Sequence, residues 1–520
     1  HGCPALVLAT AVSTLGGLVF GYELGIISGA LLQLQAWFHL SCVQQESVVG
    51  ALLIGAICSS VIGGWLIDRR GRRASILLSN LLILGGSLVL SMGNSFAMLV
   101  AGRTVVGFAI CLSSMSSCIF VSEMVEPKRR GLMVTLYEAG VTAGILLAYA
   151  INYVFSAAQE GWRYMFGLAI IPSLAQLVSV WVLRSHHGTV DRLITETQSP
   201  REQCDSVEEG TLNQAQLGKK HYTVLQLFHH KDNMCTRTII GIGLVLFQQF
   251  TGQPNILFYT STIFQSVGFK SDASAALASV GLGIVKVIAT TVAMLCADKV
   301  GRRPLLINGC LVMAVGLMLT GFLNRHSLFD AARQCSSSEL HPNGTILAVK
   351  SMELLKIRNN TTDAGHLDTS TASHALGKFN WLILISMMSV VSAFSVGFGP
   401  MTWLVLSEIF PAEVRGRAFA FTSCFNWMAN LIVTFSFLNV IDVMGLSGTF
   451  FINGMIALAA AVFIHVLLPE TKGKSLQDIN KELCERRLVE ITIFENIMEN
   501  RAFPFNKTTA KLKKNKTTNI

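Results

Sequence analysis

Twelve apolar runs of bilayer-spanning length follow one another along the chain, and no other feature limits the fold so tightly. They lie at about 5–33, 47–67, 74–92, 97–121, 131–153, 163–183, 236–266, 275–297, 304–323, 378–407, 415–438 and 446–468. Roughly 20 apolar residues carry a helix across the hydrocarbon core. Within lipid, every backbone amide and carbonyl needs a partner in its own helix or around a closed barrel. Barrel strands are about half as long and alternate apolar with polar positions, which these runs do not. An all-α membrane protein is therefore expected. Charged residues agree, at 14% of 520 against about 25% in soluble domains.

The net charge of +9 orients the chain and does not mark it for nucleic acid. Arg69, Arg70, Arg72 and Arg73 follow the second run, and Lys128, Arg129 and Arg130 the fourth. Lys299, Arg302 and Arg303 follow the eighth, and Arg415 and Arg417 the tenth. The alternate connections 34–46, 93–96 and 439–445 contain no Lys or Arg. This positive-inside pattern places both termini in the cytoplasm. The first run is long and continues into a multispan pattern, unlike a cleavable signal peptide. Since it begins almost at His1, a natural N-terminal tail is expected to precede it. The twelve cysteines are scattered without metal-ligand spacing. Cys42 and Cys335 fall in outside connections, which leaves a disulfide open.

Two motifs recur. GGWLIDRRGRRAS at 63–75 and CADKVGRRP at 296–304 each place an Asp four residues before paired arginines, with a Gly at the turn. SEMVEPKRRG at 122–131 and SEIFPAEVRG at 407–416 share Ser, Glu, Arg and Gly at equal offsets. Positive-inside signalling explains one such set of arginines but not two with matching carboxylates. The chain thus reads as two six-helix halves related by an internal repeat. Residues 1–183 form the first half, 184–235 a cytoplasmic linker with short helices, 236–468 the second half, and 469–520 a cytoplasmic tail. Asp68 and Glu123 are 55 residues apart, Asp298 and Glu408 110; the excess is an outside loop, 324–377. Its sequons make Asn343, Asn359 and Asn360 glycosylation candidates, whereas those at Asn506 and Asn515 lie inside and should be silent. The repeated residues Asp68, Arg72, Arg73, Glu123, Arg130, Asp298, Arg302, Arg303, Glu408 and Arg415 are expected to form cytoplasmic ion pairs. These would join the halves when the outside is open and break when it closes.

Polar residues inside the runs are functional candidates by default. Glu23 in the first run and Arg103 in the fourth form either a proton switch or a fixed salt bridge. Glu138 in the fifth and Lys286 in the eighth are expected to compensate one another. FQQFTGQPNILFY at 247–259 breaks the seventh run with Gln248, Gln249, Gly252, Gln253, Pro254 and Asn255. Proline removes a backbone donor and glycine loosens the helix beside it. Amides that both donate and accept suit a neutral polyhydroxylated ligand, although bonding between helices explains them too. Gly397, Gly399 and Pro400 break the tenth run one turn before Trp403, and Asn426 and Asn430 share one face of the eleventh. A single polar cavity accounts for all of these. No nucleophile–base set or phosphate loop argues for an enzyme, and no cofactor is expected.

The chain resembles a sugar porter of the major facilitator superfamily, in class III of the facilitative glucose transporters. The resemblance rests on DRRGRR at 68–73, GRTVVG at 102–107, EMVEPKRRG at 123–131, QQFTG at 248–252, DKVGRR at 298–303, GPMTW at 399–403, SEIFPAEVRGR at 407–417, NW at 426–427 and PETKG at 469–473. It implies the major facilitator fold, with twelve helices in two halves around a central cavity. A hexose site is implied at Gln248, Gln249, Asn255, Trp403, Asn426 and Asn430, with Glu138 where glucose uniporters carry a sugar-binding Gln. Glu23 stands where those uniporters have an amide but bacterial proton symporters have an Asp facing an Arg. Lys286 replaces an Asn of the site and Ser395 a Glu, and WVLRSHHG at 181–188 replaces the PESPR motif that packs the cytoplasmic helices.

The expected function is hexose transport by alternating access, with protons as a second partner. A purely facilitative uniporter and a non-transporting sugar sensor are the alternatives. Lipid contacts of the basic tail are expected, nucleic acid is not, and a monomer should suffice. The resemblance implies residence in the plasma membrane and perinuclear endomembranes.

Overall fold

The computed structural model describes residues 3–124, 130–185, 233–267, 269, 271–324, 369–410, 412–474, 478–479 and 481–483. Among the described residues, seventeen helices build the spans. The first span is α1 (Cys3–Gly25) and α2 (Ile27–Phe38). Then follow α3 (Cys42–Arg70), α4 (Arg72–Ser91), α5 (Phe96–Met124) and α6 (Arg130–Val154). The sixth span is α7 (Gly161–Gly167) with α8 (Ile170–Ser185). The seventh comprises α9 (Met234–Phe250), α10 (Gln253–Phe258) and α11 (Thr260–Val267). The eighth and ninth are α12 (Asp272–Val300) and α13 (Arg302–Leu323). The tenth is α14 (Thr369–Val396) with α15 (Phe398–Ile409), and α16 (Ala412–Phe435) and α17 (Phe437–Leu467) complete the bundle.

Ten helical spans among the described residues are long and apolar enough to cross a membrane. The other two expected spans differ in kind. α6 carries Glu138 and Asn152 along its length, and the seventh span is divided by its own polar break. α17 is two helical stretches joined at Gly445, whose φ of 73° and ψ of 165° break the helix at the end of the connection expected at 439–445. Ser436, between α16 and α17, keeps a near-helical backbone, with its amide bonded to the Ile432 carbonyl and its carbonyl to the Val440 amide, so Phe437–Met444 extends the eleventh span outward.

The repeat is visible at the backbone. α3 ends at Gly71 (φ 84°) and α12 at Gly301 (φ 106°), so the matching DRRGRR and DKVGRR motifs turn through left-handed glycines that a side chain would strain. Within the first half, helices touch through backbone. A Cβ at Gly21 would lie 1.9 Å from the Val141 carbonyl oxygen, and one at Gly107 1.9 Å from that of Leu52. Small residues let helices approach closely where lipid supplies no hydrophobic drive. The outward faces are apolar, with Val443 84% and Leu295 68% exposed, as lipid-facing positions should be.

The halves meet mainly where α6 packs on α12 and α3 on α16. Toward the outside they are hydrogen-bonded to one another. Tyr149 of α6 donates to the Leu257 carbonyl at 3.1 Å and lies 3.0 Å from the Thr260 hydroxyl. Ser28 of α2 and Ser261 of α11 approach to 3.5 Å. Cys42 is disulfide-bonded, while Cys335, Asn343, Asn359, Asn360 and most of the 184–235 linker fall outside the described residues.

Candidate functional site

The site is organised by two broken spans. α9 stops at Phe250 because Gly252 takes φ 83°, and Asn453 of α17 fills the space where its Cβ would be, 2.1 Å from Asn453 Nδ2. Pro254 then sits in the first turn of α10, where a missing N–H costs nothing. In the tenth span the break falls at Gly397 (φ −94°, ψ −91°), whose Cα packs against Gly309 of α13. The two breaks are tied together, since Gln248 Nε2 donates to the Phe398 carbonyl at 2.8 Å. Gln249 Nε2 donates to Asn426 Oδ1 at 2.5 Å. The structure thus joins Gln248, Gln249 and Asn426 of the expected site.

What these amides leave open is more informative. Gln248 Oε1, Gln253 Oε1, Asn255 Oδ1 and Thr402 Oγ1 are buried without a hydrogen-bond partner. Each such orphan costs about 1–3 kcal/mol, and buried polar atoms are nearly always satisfied by protein or water. Four such atoms lie on the two broken spans, where a hydroxylated occupant or water can pair them. Gln253 and Thr402 were not singled out as binding residues from sequence. Gln253 lay in plain view within the polar break, whereas Thr402 reads as ordinary span filling until its burial is known.

Other expected members make different contacts. Asn430 Oδ1 accepts from Thr434 one turn on, at 3.1 Å. The Trp403 ring packs on Phe419 at 5.1 Å, while Trp427, beside Asn426, reaches the opposite half and meets Phe20 at 6.1 Å. Glu138 of α6 and Lys286 of α12 lie on helices that pack together across the halves. No ion pair within 4.0 Å forms between these two side chains; instead, Lys286 Nζ stands 3.5 Å from Ser395 Oγ and 5.5 Å from the Phe394 ring centre.

Glu23 and Arg103 do meet. Their side chains are 1% and 0% exposed and 3.5 Å apart. Arg103 Nη1 also donates to the Glu23 carbonyl at 3.2 Å, and Ser87 donates to Glu23 Oε1 at 3.4 Å. Arg103 Nε and Nη2 and Glu23 Oε2 make no hydrogen bond, so the ion pair is formed but incompletely dressed.

On the cytoplasmic side, Arg302 binds Glu408 through Nε at 3.2 Å and Nη2 at 2.9 Å. Thr471 donates to the same carboxylate at 2.6 Å. Glu470 accepts from the backbone amides of Arg302 (3.1 Å) and Arg303 (3.2 Å) and so caps α13. Arg303 also reaches the His465 carbonyl, and Arg73 that of Val180. All of these contacts lie within one half. Arg72 is engaged too, and the side chains of Asp68, Glu123, Arg130, Asp298 and Arg415 lie outside the described set. Glu470 and Thr471 extend the expected cluster, and their place in PETKG was the available signal.

Spans in two repeated halves, closed over a buried amide cluster on broken helices, define a secondary transporter of the major facilitator fold. Comparison with known proteins gives the family. The sugar (and other) transporter family matches residues 9–336 and 370–483. The chain is 59% identical to zebrafish (Danio rerio) solute carrier family 2, facilitated glucose transporter member 10, over 96% of this chain and 97% of that protein. Human member 10 is 45% identical over 94% and 95%, and human member 12 is 39% identical over 95% and 88%. Among solved structures, the inward-open xylose transporter XylE from E. coli superposes with a TM-score of 0.66 at 25% identity, covering 92% of this chain and 99% of that one. The D-xylose-proton symporter gives 0.65 at 26%, over 90% and 99%. The chain belongs to the sugar porter family, in class III of the facilitative glucose transporters, and is an integral multi-pass membrane protein. Within the class the expected greatest likeness is to member 12, whereas the identity to member 10 is higher.

Proposed function

We propose that the protein carries a hexose across the membrane by alternating access, through one site between its halves. The observation that carries this reading is the set of four buried, unpartnered acceptors on spans seven and ten, beside the Gln249–Asn426 bond. Gln248, Gln249, Asn255 and Asn426 bind sugar hydroxyls, joined by Gln253 and Thr402; Trp403, Asn430 and Glu138 line the surroundings. Hexose uptake into vesicles holding the purified protein tests it. Saturable uptake, competed by unlabelled hexose and weakened in Gln249→Ala, is expected. Binding without flux would support a sensor instead.

Coupling to protons is the second reading, favoured by the Glu23–Arg103 ion pair. A structural relative is named as a proton symporter, which is a property of that protein. An inward proton gradient should then drive accumulation above equilibrium, and uptake that only equilibrates identifies a uniporter. The sequons at Asn343, Asn359 and Asn360 support passage through the secretory membranes to the plasma membrane and perinuclear compartments. The basic composition of the cytoplasmic tail, 469–520, favours lipid headgroups as its partner, and a single chain is expected to suffice for transport.

A further inference from the structure

Glu46, outside the site described above, is fully buried on the outer side of the bundle, at 0% exposure. It is the fifth residue of α3, in the first half. Its bonds all run to the second half. Glu46 Oε1 accepts from the backbone amides of Leu438 at 2.9 Å and Asn439 at 3.4 Å, and Oε2 accepts from Asn439 Nδ2 at 3.0 Å.

Leu438 and Asn439 belong to the first turn of α17, whose own N-cap residue, Ser436, supplies no capping bond. The first amides of a helix have no partner inside it, and a carboxylate there is favoured by the helix dipole. The outer stretch of α17, before the break at Gly445, is therefore capped where it meets α16 by a side chain of the other half. Phe437, just before the captured amides, packs on Tyr259 of the seventh span with ring centres 5.0 Å apart. Tyr259 also feels the Glu46 charge. The contact thus reaches the end of the broken span that carries the amide cluster.

We propose that Glu46 is an outer latch, a positioning residue that stabilises the outward-closed state by capping α17 across the interface. Opening to the outside separates α3 from α17 and strips these three bonds from a carboxylate that must then be solvated. Charge-assisted bonds are about twice as strong as neutral ones, so the latch should bias the equilibrium by about tenfold or more. This rests on the alternating-access reading above.

For a carrier with one site, the ratio of apparent dissociation constants measured from outside and from inside is proportional to the population ratio of inward- to outward-facing protein. The test uses a hexose bearing a bulky impermeant group, applied to either face of oriented vesicles. Wild type, Glu46→Gln, Glu46→Ala, Asn439→Ala and the double variant Glu46→Ala/Asn439→Ala are compared. Glu46→Ala should lower the outside-to-inside ratio about tenfold, and Asn439→Ala several-fold. The double variant should fall no further than Glu46→Ala, because both changes cut one connection. A contact that merely stabilised the fold would reduce yield and leave the ratio unchanged, and that result overturns the latch. Should Glu46→Ala fail to fold, Glu46→Gln and Asn439→Ala carry the same comparison. Hydrogen exchange separates this proposal from the transport reading. If the wild type moves no hexose but Leu438 and Asn439 exchange faster in Glu46→Gln, the cap stands and the transport reading fails. Unchanged exchange at both amides refutes the cap itself.

Discussion

Replacing Glu23 by Gln separates the two readings of the intramembrane ion pair. The substitution keeps side-chain volume and an oxygen for Ser87, and it removes only the charge facing Arg103 at 3.5 Å. Arg103 is then a fully buried cation with no counter-charge. Removing one partner of a buried ion pair costs about 3–5 kcal/mol. The bond from Arg103 Nη1 to the Glu23 carbonyl survives, since it is made to the main chain, which places the loss near the lower end, about 3 kcal/mol. Replacing both members by neutral side chains is often neutral, so Glu23→Gln/Arg103→Gln should recover about 2 kcal/mol or more relative to the sum of the single changes. Denaturant titration of the purified protein in mixed micelles, with hexose uptake on the same samples, reads both quantities. If Glu23→Gln is as stable as wild type, or the double variant equals the sum of the singles, the ion pair is not the stability element described here. An amide that is tolerated in stability but abolishes only gradient-driven accumulation would identify Glu23 as the coupling acid.

Further outcomes follow from the same geometry. Gln249→Ala breaks the bond to Asn426 and should weaken hexose affinity by about 1–3 kcal/mol, with Asn426→Ala giving much the same loss and the double change little more; equilibrium binding of labelled hexose measures this. Gln253→Leu removes a buried acceptor that has no protein partner, so it should leave the melting temperature unchanged or raised while weakening hexose binding, and equal binding would remove Gln253 from the site. Gly21→Val places side-chain atoms where only backbone fits, since even a Cβ would lie 1.9 Å from the Val141 carbonyl; folded yield on size-exclusion chromatography should collapse, whereas Gly85→Val, where nothing lies within 4 Å, should be recovered normally. Arg302→Ala severs the bond to Glu408 within one half, where both side chains are partly solvated; a stability loss of about 1 kcal/mol or less is expected in a denaturant titration.

How much of this was legible before any coordinates depended on the range of the physics involved. Span existence, orientation and the two-half repeat follow from hydropathy, from the side on which Arg and Lys gather, and from recurring motifs. Each of these is set by the bilayer and by local backbone chemistry, so the sequence alone determined them. The left-handed glycines Gly71 and Gly301 and the break at Gly252–Pro254 were readable for the same reason. Tertiary structure decided the partners. Gln249 with Asn426, Gln248 with the Phe398 carbonyl, and Glu470 with the start of α13 join residues far apart in the chain, and only packing decides which neighbouring helix each one meets. The break at Gly445 fell within the connection read at 439–445, while the helical course of Phe437–Met444 before it was decided by packing. Glu46 marks the boundary most clearly. In the sequence it is one more acidic residue in an outside connection, and only the meeting of the two halves turns it into the cap of a helix 392 residues away.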